Sequence, residues 1–161
     1  MTRYEFAIWV GPLAAAYRED RAEAVRIARS VSDVELSRPT GDEGWSVREE
    51  MLHIAASDTD FVGVLGAIVR GETPDTSVFA DIDARNARNL AAWQGRSMRE
   101  LADELESNGR ETQELLSQLK VEDESRQPGG VPFAIGQLLA GYGQHGPYHV
   151  GQIRQALDGN G

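Results

Sequence analysis

The chain has 161 residues, of which 40% are hydrophobic and 26% charged, with 26 Asp and Glu against 16 Lys and Arg and a formal net charge of −10. That length fits a single domain spanning 1–161, able to bury roughly two-thirds of its unfolded surface. The acidic balance argues against nucleic acid and anionic membranes, whose binding rests on clustered basic residues. The absence of cysteine removes disulfides, thiolate metal sites and cysteine nucleophiles.

The opening segment, Tyr4 to Val10, reads as a separate turn ahead of the first helix. It is too short and too interrupted for a signal-peptide core, and no uninterrupted apolar stretch approaches the ~18 residues of a membrane span. A cytoplasmic protein is therefore expected. The first helix is predicted from about Pro12, a residue suited to a first helical position, to about Val31. Its apolar residues Leu13, Tyr17, Ala24, Ile27 and Ala28 recur at helical spacing with Arg and Glu between them.

Residues 32–44, with Pro39, Gly41 and Gly44, read as a polar linker. Ser46 and Glu49 then form a capping box, worth roughly 1 kcal/mol, that opens a second helix. That helix carries Val47, Met51, Ile54, Ala55, Phe61, Leu65 and Ile68 and stops at Arg70-Gly71. After Thr73-Pro74 a shorter helix is predicted over Ile82–Trp93. A second capping box, Ser97 with Glu100, starts a third long helix through Leu101, Leu105, Leu115, Leu116 and Leu119, with Gly109 weakening its middle. A charged linker over 121–131 precedes a last helix from near Pro132 to about Leu157. No strand signal of comparable strength occurs. The expected fold is all-α: a four-helix bundle with a short extra helix before the third long one.

The chain has three histidines, His53, His145 and His149. The last two are four apart, so on an unbroken helix they share a face. Leu138, Tyr142, His145, His149, Ile153 and Ala156 step by three or four, which places both imidazoles on the apolar stripe and points them inward. An inward imidazole without a partner costs roughly 1–3 kcal/mol. Two readings satisfy it: hydrogen bonds within the core, or one divalent metal ion shared with His53 on a facing helix. If those helices run antiparallel, the two groups differ in height by roughly 5 Å at 1.5 Å per residue, within reach of side chains. Three imidazoles with open positions suit a catalytic centre, and zinc or nickel suits imidazole ligands, with iron, manganese and copper as alternatives.

Three stretches resemble one known family. Gly44-Trp-Ser-Val-Arg-Glu-Glu-Met-Leu-His53 is similar to the first metal-histidine motif of DinB-like proteins. His145-Gly-Pro-Tyr-His149-Val-Gly-Gln-Ile153 resembles their C-terminal motif, and Phe79-Ala-Asp-Ile-Asp-Ala-Arg-Asn86 a weaker middle one. The resemblance covers nearly the whole chain. It implies an up-down-down-up bundle, often a homodimer, with a divalent metal at His53, His145 and His149. It also implies relatives among bacillithiol- and mycothiol-dependent transferases, including a maleylpyruvate isomerase, in which the metal activates a low-molecular-weight thiol. The corresponding expectation is a metal-dependent, thiol-transferase-like enzyme acting on a small molecule. The alternative is a non-catalytic metal- or small-molecule-binding bundle.

Pro147 departs from a regular helix. It offers no N–H to the carbonyl of Gly143, so the last helix should bend there, and a break would cost the histidines their register. Other polar residues read more plainly. Glu50 is expected to be solvated or to support a ligand. Asp58 and Asp60 read as exposed, with orienting a histidine or a bound water as the alternative. Gln152 and Tyr148 read as structural, with a bond across helices and a pocket border as their respective alternatives. The glycines 136, 141, 143, 146 and 151 suggest close helix packing. No phosphate-binding glycine loop and no nucleophile elbow are present.

Overall fold

All the predicted helices but the last form as single helices in the computed structural model, which describes residues 3–41 and 44–159. Among those residues the fold is all-α. Helix α1 spans Val10–Ser30, α2 Asp33–Leu36, α3 Val47–Val69, α4 Ile82–Trp93, α5 Met98–Ser117, α6 Ile135–Tyr142 and α7 His145–Leu157. Short 3-10 turns cover Thr76–Phe79 and Val121–Asp123.

Local chemistry sets the boundaries. The capping boxes at Ser46/Glu49 and Ser97/Glu100 open α3 and α5. A third box, Ser32/Glu35, opens α2 inside the stretch expected to be linker. Helix α1 starts two residues before Pro12 because Ala7 accepts from the N–H groups of Val10 and Gly11. Pro12 therefore stands third in its helix, where an N–H has no intrahelical acceptor and none is missed. At Gly109 α5 runs on unbroken.

The last predicted helix is two. It begins at Ile135 rather than near Pro132, ends at Tyr142, and restarts at His145 after Gly143 and Gln144. The restart again puts a proline, Pro147, at the third helical position, where its lost N–H costs little. The expected bend is thus a break, but it falls before His145, so both histidines lie on α7 and keep their four-residue register.

Helix α1 packs on α5 and α7, and α3 packs on α5, α4 and α7. The apolar core divides into two clusters. One holds Ala24, Ile27, Leu36, Met51, Leu101, Leu105 and Ile153; the other holds Val10, Tyr17, Phe61, Leu65, Leu116 and Leu139. On every long helix the residues between these levels are polar and buried: Arg21 on α1, Ser57 and Asp58 on α3, Asn108 and Thr112 on α5, and His149 on α7. The bundle has a polar waist. Arg21 and Asp58 form an ion pair across it, so Asp58 is buried rather than exposed as its sequence context suggested. Asn108 donates to Thr59 at 2.9 Å. The Arg21 guanidinium also lies 4.7 Å from the Tyr17 ring centroid and 5.9 Å from that of Tyr142.

Helix α3 is long and apolar enough to cross a membrane by length and composition, yet 78% of its most apolar window is buried within the fold. Asp58 and Asp60 interrupt its apolar run, which is why no unbroken stretch stands out in the sequence.

Candidate metal centre

The site forms where the waist meets α4 and α7. His53 lies in the second turn of α3 and is 2% exposed, and His149 is 8% exposed. His145, the first residue of α7, is half-buried. Each histidine offers one ring nitrogen to a common point, and those atoms lie within 4.8 Å of one another. The Nε2 atoms of His53 and His145 are 2.9 Å apart. The three ring centroids are 4.4–4.8 Å apart pairwise.

This donor set fits a divalent ion. Tetrahedral coordination with bonds of about 2.0–2.1 Å separates ligand nitrogens by roughly 3.3 Å, close to what the His53–His145 pair already shows. Glu50, wholly buried, orients the third histidine. Its Oε2 lies 2.6 Å from Nδ1 of His149, and its Oε1 accepts from the Thr40 hydroxyl at 3.0 Å. With Nδ1 on a carboxylate, Nε2 is the nitrogen of His149 that would ligate. A carboxylate behind a histidine fixes its tautomer and ring angle and raises its basicity. Ser57 Oγ makes a long 3.5 Å contact with Nδ1 of His53.

Aromatic rings hold the imidazoles from both sides. Trp45 packs on His53 at 4.9 Å and on His149 at 6.1 Å between centroids. Tyr142 stacks on His145 at 5.4 Å and on Phe61 at 4.0 Å. Trp45 is delivered by the segment after α2. Pro39 and Ser46 bridge as antiparallel backbone there, and the Thr40 hydroxyl lies within donating distance of both the Trp45 carbonyl and Glu50. The stretch read as a linker is therefore a wall of the site.

Glu50 meets His149 while His53 meets His145, so numbers rising along α3 meet numbers falling along α7. The pair is antiparallel, and the 5 Å height difference expected from the sequence does not keep the imidazoles apart, since their ring nitrogens lie within 4.8 Å of one another.

A model of the DinB superfamily matches residues 16–153, a span that contains all three histidines. The chain belongs to the DinB superfamily. No curated protein and no solved structure gives a significant match.

In this DinB-superfamily chain two cavities open beside the imidazoles. One, of about 550 Å³, is walled by Trp45, Asn86, Tyr148 and the three histidines. The other, of about 520 Å³, runs along Phe61, Val64, Phe79, Leu138 and Tyr142 to His145. Ile82, Arg85 and His145 line both. Tyr148 is half exposed on the wall of the first, the second of the two roles its sequence context allowed. Asp60 lines the second and accepts from Asn89.

Sequence reasoning placed Glu50 between solvent and a supporting role, and the structure decides for the second. The signal was the three-residue step to His53, which sets both side chains on one face of α3. It gave Arg85 no role of its own, because a lone arginine on an amphipathic helix ordinarily faces water.

Burial pushes the His53 and His145 imidazoles down to about 3, reinforced by His149 beside each and by Arg85. Both are therefore neutral at pH 7, the form that ligates metal. In the unfolded chain they take up protons near pH 6.5. Between about 3 and 6.5 the unfolded state binds more protons than the folded one, so the stability of the metal-free protein should rise with pH through that window and level off above it. Asp20, pushed up to about 6 mainly by burial, acts with the opposite sign over about 4–6 and offsets part of the slope. Urea midpoints of the metal-free protein should be lower at pH 4.5 than at pH 7, and replacing His53 and His145 by asparagine should flatten the difference. Equal midpoints at the two pH values would mean that the imidazoles are not dry.

Proposed function

We propose that this chain is a divalent-metal-dependent enzyme of the thiol-transferase type, built on an up-down-down-up four-helix bundle, with His53, His145 and His149 holding zinc or nickel. One observation carries this reading: three histidine nitrogens from two helices converge beside open cavities, with a buried carboxylate fixing one of them. A divalent ion bound there would supply Lewis acidity, lowering the pKa of a thiol or water held beside it.

The chain's own residues do the rest. Glu50 holds the His149 ring, and Trp45 and Tyr142 keep bulk water from the imidazole faces. With no cysteine in the chain, any thiol taking part arrives as a small molecule, and the cavity beside Trp45 and Tyr148 is where it would enter.

Protein purified without a His-tag should carry close to one equivalent of divalent metal by mass spectrometry. His149→Ala should lose it, with metal affinity falling at least 100-fold. A chelator should lower the melting temperature of wild type and leave that of His149→Ala unmoved, because a ligand that binds only the folded state stabilises it. Wild-type protein free of metal after growth in zinc- and nickel-supplemented medium would sink the proposal.

A second reading is a bundle that binds metal or small molecules without turnover. The apolar wall of the 520 Å³ cavity supports it, since such a wall suits retention as well as reaction. Thiol-dependent product formation with electrophilic substrates favours the enzyme; saturable binding with no product under any thiol favours the second reading.

A further inference from the structure

Among the described residues Arg85 has no counter-ion. It lies in α4, half-buried, at the junction of the two cavities. No carboxylate among the described residues comes within ion-pair distance of it, although Asp60 and Asp83 line the same cavities and the chain has ten more acidic than basic residues. Its Nη1 donates to the carbonyl of Val78 at 2.7 Å, its Nη2 makes a long 3.4 Å contact with Asn86 Oδ1, and its buried Nε has no acceptor. Arg21, buried at the waist, is paired with Asp58. The half-buried Arg38 and Arg48 donate to backbone carbonyls and, unlike Arg85, leave no buried nitrogen without an acceptor.

A partly buried guanidinium is expensive unless an anion answers it. Arg85 has five donors in a planar fork, and one strong bond fixes the plane while leaving donors unused. A fork held in place at the mouth of a cavity is organised in advance for a planar carboxylate. Beyond it, Phe61, Val64, Phe79 and Leu138 offer an apolar wall, and about 520 Å³ accommodates a small organic body. His145 stands at the same junction.

We propose that the site takes a carboxylic acid with an apolar body, the carboxylate on Arg85 and the body in the cavity between α3, α4 and α6. The assignment rests on the reading of the histidine centre as the reacting end of the site. It makes Arg85 a specificity-determining residue and Gly141 a gatekeeper of the apolar part. Gly141 lines that cavity, and a Cβ built on it meets nothing within 4 Å.

The test is calorimetric titration of the purified protein with 4-phenylbutyrate and with its uncharged amide, at neutral pH and known metal content. Wild type should bind the acid at least tenfold more tightly than the amide. Arg85→Gln should lose that preference while its metal content stays unchanged. Gly141→Leu should weaken acid and amide alike, at least fivefold.

Failure of this proposal and failure of the metal centre read differently. Acid preference that survives Arg85→Gln but vanishes on metal removal places the carboxylate on the ion and overturns the role of Arg85. Preference that depends on Arg85 in protein without metal sustains the carboxylate site while the metal reading falls. Should Arg85→Gln not fold, the wild-type ratio decides: below tenfold, the proposal is overturned.

Discussion

Replacing Asp58 by alanine is expected to remove about 3–5 kcal/mol of folding stability, the typical cost of stranding one partner of a buried ion pair. For a chain of this length, that lowers the melting temperature by roughly 6–20 °C. The cause is local. Arg21 and Asp58 are 7% and 1% exposed, and each already carries one buried polar atom, Nε and Oδ2, without a partner. Burial pushes the Asp58 carboxyl up, while Arg21 and the Tyr142 hydroxyl pull it down. The pair holds its charge only because both members are present. Replacing both together, Arg21→Met with Asp58→Ala, should therefore recover most of the loss, and a double-mutant cycle over thermal melts measures the coupling. A drop below about 2 °C for the single variant would show that water reaches the waist.

The second large effect concerns Glu50. Glu50→Gln keeps the shape of the side chain and removes the carboxylate from Nδ1 of His149. Metal affinity should fall about 10- to 100-fold, the usual consequence of removing a carboxylate behind a histidine ligand. The melting temperature of the metal-free variant should stay within a few degrees of wild type. Competition with a chromogenic chelator separates the two quantities. Equal metal affinity in wild type and Glu50→Gln would mean that the carboxylate serves packing alone. Comparison with Asp58→Ala is informative, because both residues are buried acids on α3, yet one should alter stability and the other metal affinity.

Much of this was readable from the sequence, for reasons that particular residues make clear. Ser46 with Glu49 and Ser97 with Glu100 are short-range signals, complete within four residues, and they mark the two helix starts where the structure has them. The heptad-like step through Tyr142, His145, His149 and Ile153 turned the imidazoles inward without any knowledge of a partner helix. What stayed hidden depends on contacts far apart in the chain. Asp58 looked exposed because its partner, Arg21, lies 37 positions away on α1. Arg85 looked like a surface charge because the cavities it joins are built from α3, α4, α6 and α7 together. The short helix over Asp33–Leu36 is a different case: Ser32 and Glu35 carry the same capping pattern, but Pro39, Gly41 and Gly44 close behind it leave room for a single turn, too short to show helical periodicity. Pro147 was misjudged by position. A proline in mid-helix breaks it, but the chain had the option of starting a new helix two residues earlier.

That restart has a consequence for how such a site diversifies. The α6 wall of the apolar cavity and the pair His145 and His149 stand on separate helices joined by Gly143 and Gln144. Each helix has its own anchor: the Tyr17 hydroxyl donates to Leu139 O at 2.7 Å on α6, and Arg38 donates to Leu157 O at 2.8 Å at the end of α7. Substitutions over residues 136–141 reshape what the cavity accepts while His145 and His149 keep their footing. A lineage carrying this joint can reshape the cavity by mutating one short helix, with the histidine pair inherited unchanged on the next.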